Sequence, residues 1–279
     1  MHVETLGGTG MATVVAVAQR KGGCGKSTLV VSLSAVASSR ALHVATVDVD
    51  SQANASRWLL SRELVEGLSR MQTVAALEHP PRREWLEMGS PLTATNVSTT
   101  EVLETVLPWC LHRSAIGVDV VPVAPHIHAE DAKHLLLSEL PVDLVIVDCP
   151  PDVSTPAVRS VLAQADVVVS PVVCEPWAVD ATEQILREIV SVGRRDLIDR
   201  GLVRFVVNMR TKCAMHDRFE NLLRERWGSL VSPVVISRAV SVAESSLDSS
   251  LLTKKTALWK AAELVWKDIQ SKAQKRGAA

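Results

Sequence analysis

No run of about 18 uncharged apolar residues occurs in the chain, so no membrane-spanning helix is expected. Cysteine is sparse. Five are present, at positions 24, 110, 149, 174 and 213, and no two form a CxxC pair. An odd, scattered set argues against a disulfide framework or an iron–sulfur site and fits a reducing cytosol. The opening residues, MHVETLGGTG, have neither the basic n-region nor the apolar h-region of a secretion signal; residues 1–12 read as a flexible lead. Charge of one sign is missing too: 30 Lys and Arg against 31 Asp and Glu leave −1, so composition carries no global signature of nucleic-acid binding. There is no internal repeat, which argues against a tandem, two-lobed chain. What remains, 279 residues with 47% hydrophobic and 22% charged, is long enough for a sizeable core and ordinary for a globular protein.

The most informative stretch is VVAVAQRKGGCGKSTLVVSL, from Val14 to Leu33. Residues Thr13 to Ala18 are apolar and β-branched without a polar break, the pattern of a strand buried on both faces. From Ser27 onward, Leu29, Val30, Leu33, Val36 and Ala37 recur at helical spacing. Strand, glycine turn and helix form a phosphate cradle: backbone N–H groups and the helix N-terminus make a concave positive site. Lys26 then reaches the β- and γ-phosphates, and the Ser27 hydroxyl holds Mg²⁺. The first glycine of the common phosphate-loop pattern is absent, because Arg20 stands there. The variant KGGxGK[ST] fits in full and contains a second lysine, Lys21.

That variant resembles the deviant Walker A loop of the ParA/MinD family of ATPases. The resemblance implies that Lys21 crosses a dimer interface to the partner's nucleotide, while Lys26 serves its own. A second cation supplied in trans stabilises the charge that builds on the γ-phosphate and makes catalysis depend on dimerisation. Gly22, Gly23, Cys24, Gly25 and Thr28 complete the nucleotide-binding loop, Cys24 through its backbone.

Three further segments fit the same family. VATVDVDSQANAS, Val44 to Ser56, resembles its DxDPQ segment, with Ser51 in place of proline. By that resemblance Asp50 positions the attacking water and Asp48 supports the magnesium shell. In VDLVIVDCPPDVS, the apolar run Leu144 to Val147 leads into Asp148, a Walker B pattern, which holds magnesium directly or through water. Pro150 and Pro151 fix the exit of that chain. In VVNMRTK, Asn208 occupies the place of a family asparagine whose amide reads the adenine edge. HIHAED, from His126, is an ordinary loop rather than a metal site.

Other strands are expected at Leu42–Val47, Val118–Val123, Val167–Val169, Val203–Val207 and Leu230–Ile236, with helices at Val179–Val192 and Phe219–Trp227. Such alternation predicts a single α/β domain of deviant P-loop NTPase type, a mostly parallel twisted sheet with helices on both faces. Residues 13–270 form that ATPase domain. Residues 62–117 are an irregular, mostly helical insert, and 271–279 a basic tail.

ParA-type relatives bind DNA of any sequence as the ATP-bound dimer, an ATP sandwich, and work with a ParB-like or small centromere-binding adaptor. The resemblance implies ATP and Mg²⁺ as cofactors and a cytoplasmic, nucleoid-associated location. Residues 194–226 hold nine Lys and Arg against five acids, and residues 251–279 seven against two. These surpluses fit a face for phosphate backbone, with Arg210 and Arg238 its best-placed members. The alternative is a MinD-like membrane-associated positioning ATPase, which uses a terminal amphipathic helix. Here Leu258, Ala262, Val265 and Ile269, with Trp259 and Trp266 beside them, form a stripe better suited to core packing, so no membrane contact is expected.

Overall fold

The computed structural model describes residues 11–78, 98–175, 177–238, 254 and 256–274. The apolar runs become strands: β1 (Thr13–Val17), β2 (Val44–Asp48), β3 (His112–Arg113), β4 (Asp119–Val121), β5 (Leu144–Asp148), β6 (Val167–Val173), β7 (Val203–Arg210) and β8 (Val231–Ser237). They form one sheet in the order β3-β4-β2-β5-β1-β6-β7-β8. Only β3 against β4 is antiparallel; every other pair is parallel. Every residue of β1, β2 and β5 is buried, so both faces of the sheet's centre are covered, as parallel crossovers require.

The described helices are α1 (Lys26–Ser38), α2 (Asn54–Leu59), α3 (Arg62–Glu66), α4 (Thr99–Cys110), α5 (Pro156–Gln164), α6 (Ala178–Ser191), α7 (Arg195–Asp199), α8 (Ala214–Trp227) and α9 (Ala257–Gln274). Between α3 and α4 lie two 3₁₀ turns, Arg70–Gln72 and Val74–Leu77, and residues 79–97, which fall outside the described residues. Of the expected lead only Met11 and Ala12 are described, and of the tail only 271–274.

Two boundaries differ from the pattern reading for a clear reason. β6 runs on to Val173 although Pro171 interrupts it. Its pairing with β1 ends at Val17↔Val169, so the missing N–H of Pro171 falls past the ladder on that side. α8 begins at Ala214 rather than near Phe219, because its first turn, AMHDR, is polar and carries no apolar period. The two-residue strand β3 is too short to carry an alternation signal.

α9 packs on α1 and β8, and most of its stripe is interior: Trp259, Ala262, Val265, Trp266 and Ile269 are buried, while Leu258 is half-buried. An ion pair fixes it as well. Arg204 of β7 is 2% exposed and grips Asp268 of α9 with two bonds, Nε to Oδ2 at 2.9 Å and Nη2 to Oδ1 at 3.1 Å. The Ser232 hydroxyl donates to the same carboxylate at 2.7 Å, and Arg204 Nη1 donates to the Ser229 carbonyl. No helix among the described residues is long and apolar enough to cross a membrane.

Candidate nucleotide and cation site

Because β1, β2, β5, β6 and β7 run parallel, their exit loops share the carboxyl edge of the sheet, where open α/β sheets take ligands. The registers Val17↔Asp148 and Asp48↔Asp148 bring the ends of β1, β5 and β2 together. The glycine turn therefore opens beside both aspartates.

The loop has the shape a phosphate needs. Gly25 is the N-cap of α1 with φ +89°, a left-handed conformation that glycine adopts without strain. No side chain caps the helix and its first turn has no acid, so its first N–H groups are left without a side-chain acceptor. Lys26 is 6% exposed and its Nζ donates to the Lys21 carbonyl at 3.3 Å, folded back over its own loop. The Lys21 ammonium instead pairs with Glu175, both side chains partly exposed.

Asn208, at the end of β7, locks the loop from behind. Its Nδ2 donates to the Cys24 carbonyl at 2.8 Å, and its Oδ1 accepts from the Met209 amide at 2.8 Å. The amide thus holds the phosphate loop, a contact the sequence reading lacked. Met209 takes a left-handed φ of +54°, a strained choice for a residue with a side chain. A Cβ on Gly25 would lie 2.5 Å from Asn208 Nδ2. Gly25→Ala is therefore expected to cost about 1–3 kcal/mol of stability, by strain and by displacing Asn208. It should also weaken nucleotide binding. Chemical denaturation and nucleotide titration check both, and an unchanged midpoint with unchanged affinity would refute the locking role.

Three carboxylates face this loop. Asp48 is fully committed: Oδ1 accepts from the Asp50 amide at 3.1 Å, and Oδ2 from the Ser56 amide and hydroxyl at 2.9 and 2.7 Å. The same Ser56 oxygen accepts from the Val123 amide at 3.1 Å, tying the β2 and β4 exits together. Asp50 accepts from the Gln52 amide at 3.0 Å and holds a tight turn ending at Ala53, φ +53°. Asp148 is different. It is wholly buried and neither carboxylate oxygen has a hydrogen-bond partner of good geometry. Burial, reinforced by the Asp48 charge, pushes its carboxyl well above the usual range, while the Ser27 hydroxyl and the Lys26 ammonium favour its charged form. Burial likewise raises Asp48 and Asp50. An orphaned carboxylate beside a hydroxyl is a hard-oxygen donor set that suits a small divalent cation, and such a cation reverses the penalty of burying the charge.

Residues 15–252 match the model of the CobQ/CobB/MinD/ParA nucleotide binding domain. The chain belongs to this family. Within it, the chain is 28% identical over 240 residues to the chromosome partitioning protein ParA of Caulobacter vibrioides, covering 83% of each. It is 30% identical over 237 residues to the chromosome-partitioning ATPase Soj of Thermus thermophilus, again covering 83% of each. In fold it resembles a plasmid partition protein of Borrelia burgdorferi bound to AMPPNP, with a TM-score of 0.66, 16% identity, and 95% of this chain and 99% of that one covered.

Against this ParA/MinD-type frame, the structure brings Lys21, Lys26, Ser27, Asp48, Asp50, Asp148 and Asn208 to one sheet edge. The two predicted DNA contacts lie together at the ends of β7 and β8, where the Arg238 amide donates to the Arg210 carbonyl at 3.0 Å. Their side chains differ. Arg210 is bound to Asp217 and to Glu220, the latter at 3.0 Å, so its charge is already neutralised. Arg238 is exposed and has no acidic partner among the described residues. Glu175 and Ser56 were missed by sequence reasoning. Glu175 was open to discovery, since it follows β6 at the ligand edge.

Proposed function

We propose that the chain is a Mg²⁺-dependent partition ATPase that dimerises around ATP. In that state it binds DNA of any sequence and moves a replicon with a DNA-binding adaptor, in the cytoplasm and on the nucleoid. The observation that carries this reading is the divergence of the two lysines. Lys26 folds back over its own loop, while the Lys21 ammonium leaves that loop to pair with Glu175 after β6, the separation expected if Lys21 serves a second molecule's nucleotide. Asp148 and Ser27 would hold a magnesium ion, whose charge would offset the negative charge of the nucleotide phosphates. Asp50 orients water toward the γ-phosphate, and Asp48 keeps the Asp50 turn in place. The DNA face centres on Arg238, with Lys260 and Lys267 exposed on α9. The burial of the α9 stripe speaks against the membrane-associated alternative.

The test is DNA binding across a salt series, with ATP and with ADP. ATP should convert weak binding into tight, sequence-independent binding by a dimer. Each phosphate contact adds about 0.9 to the negative slope of log K against log salt, so Arg238→Ala should flatten it by about two per dimer. Lys21→Ala should bind nucleotide yet neither dimerise nor hold DNA. Binding indifferent to the nucleotide, or capture by anionic liposomes in place of DNA, would overturn the reading. Asp50→Ala should retain ATP and hold DNA longer than wild type, because only water positioning is lost; loss of ATP binding would instead assign Asp50 to the metal or the fold.

A further inference from the structure

Two thiols come together at the carboxyl edge of the sheet. Cys174 directly follows β6 and is 3% exposed. Cys213 is the N-cap of α8, three residues past the end of β7, and is exposed. The register Val173↔Asn208 sets Cys174 beside the point where the chain turns at Met209. Arg210 ties α8 back to that strand end through Asp217 and Glu220. The charges of Glu220, Arg210, Cys213 and Asp217 all bear on Cys174, which makes the two thiols neighbours. Their surroundings differ. The His216 amide foremost, and the Thr211 hydroxyl 3.7 Å away, hold the Cys213 thiol below its usual range, as a helix N-terminus does for a thiolate. Burial, with the Glu220 charge, pushes Cys174 up to about 11. The other three cysteines, Cys24, Cys110 and Cys149, are fully buried.

We propose that Cys213 is a reactive thiol that accepts oxidation from a small disulfide and passes it to Cys174, closing a reversible bond between the β6 exit and the start of α8. An accessible thiolate beside a second, resolving thiol is the arrangement of a redox sensor, and a single labile pair suits a reducing compartment. The chemistry is two exchanges. The Cys213 thiolate attacks glutathione disulfide, forms a mixed disulfide and expels one glutathione thiolate. The Cys174 thiolate then attacks the Cys213 sulfur, forms the internal bond and expels the second. Two protein thiols are oxidised, the reagent's disulfide is reduced, and the two thiol protons pass to the leaving thiolates. The bond pulls on the segment that follows Asn208, whose amide holds the phosphate loop through the Cys24 carbonyl. Oxidation therefore weakens nucleotide binding. That consequence rests on the phosphate-site reading, whereas the thiol chemistry does not.

Thiol counting and peptide mass mapping after treatment of the full chain with glutathione disulfide test it. Wild type should lose two of its five thiols, with Cys174 joined to Cys213 and no glutathione retained. Cys174→Ala should stop at a stable glutathione adduct on Cys213. Cys213→Ser changes only an exposed side chain and should lose no thiol. Oxidised wild type should bind a non-hydrolysable ATP analogue about fivefold more weakly or worse, with full recovery in dithiothreitol. A glutathione adduct that persists on wild-type Cys213, or no reaction at all, overturns the pair. A bond that forms without changing affinity overturns the link to the nucleotide. If reduced wild type fails to bind the analogue, the phosphate-site reading fails, and the internal bond is then judged on the thiol count alone.

Discussion

Lys26→Ala lowers nucleotide affinity by ~2–5 kcal/mol, roughly 30- to 4,000-fold, the range for removing one partner of a buried charge pair. The size of the effect follows from where the ammonium sits. Lys26 is 6% exposed, and its ammonium donates to the Lys21 carbonyl across a long 3.3 Å contact. A phosphate in the loop would meet a partly dehydrated cation at the N-terminus of α1, where the helix N–H groups add to the pull. Nothing else in the first turn carries positive charge. Calorimetric titration with an ATP analogue checks it, alongside circular dichroism to show the fold intact. An affinity within threefold of wild type would remove Lys26 from the phosphate site.

Asp268→Ala is expected to cost about 3–5 kcal/mol of stability, since it leaves the Arg204 guanidinium buried without its counter-charge. That is a large share of the ~5–15 kcal/mol by which a domain stands folded. The remaining partner, the Ser229 carbonyl, is neutral and cannot offset the burial. Arg204→Leu combined with Asp268→Leu should recover most of the loss, because replacing both members of a buried pair with apolar groups is often neutral or better. Urea denaturation of the single and double variants decides it. A loss below ~1 kcal/mol for Asp268→Ala would mean that the pair is wetter than its 2% and 8% exposures imply.

The sheet centre was legible because a strand buried on both faces must be apolar throughout: Thr13–Val17 and Leu144–Asp148 read correctly to within a residue. The phosphate loop was legible because its glycines and lysines are adjacent in sequence. What stayed hidden involves partners far apart in the chain. Nothing local tells Asn208 that its amide will meet the Cys24 carbonyl, or Arg204 that a buried acid awaits it on α9. The neutralisation of Arg210 was hidden for the same kind of reason. Its acids stand on the following helix, and one of them, Asp217, lies on the turn that precedes that helix's apolar period.

The Arg204–Asp268 grip also sets an order of events during synthesis. The two residues are 64 apart. At the ribosome's pace of ~5–20 residues per second, Arg204 leads its counter-ion by roughly 3–13 s. During that interval β7 carries a cation into what must become the sheet's interior, so this edge has reason to stay open until α9 arrives. A chain cut short before Asp268 would then be left with an unclosed flank and an exposed strand, a substrate for proteolysis rather than a competitor for its full-length copies.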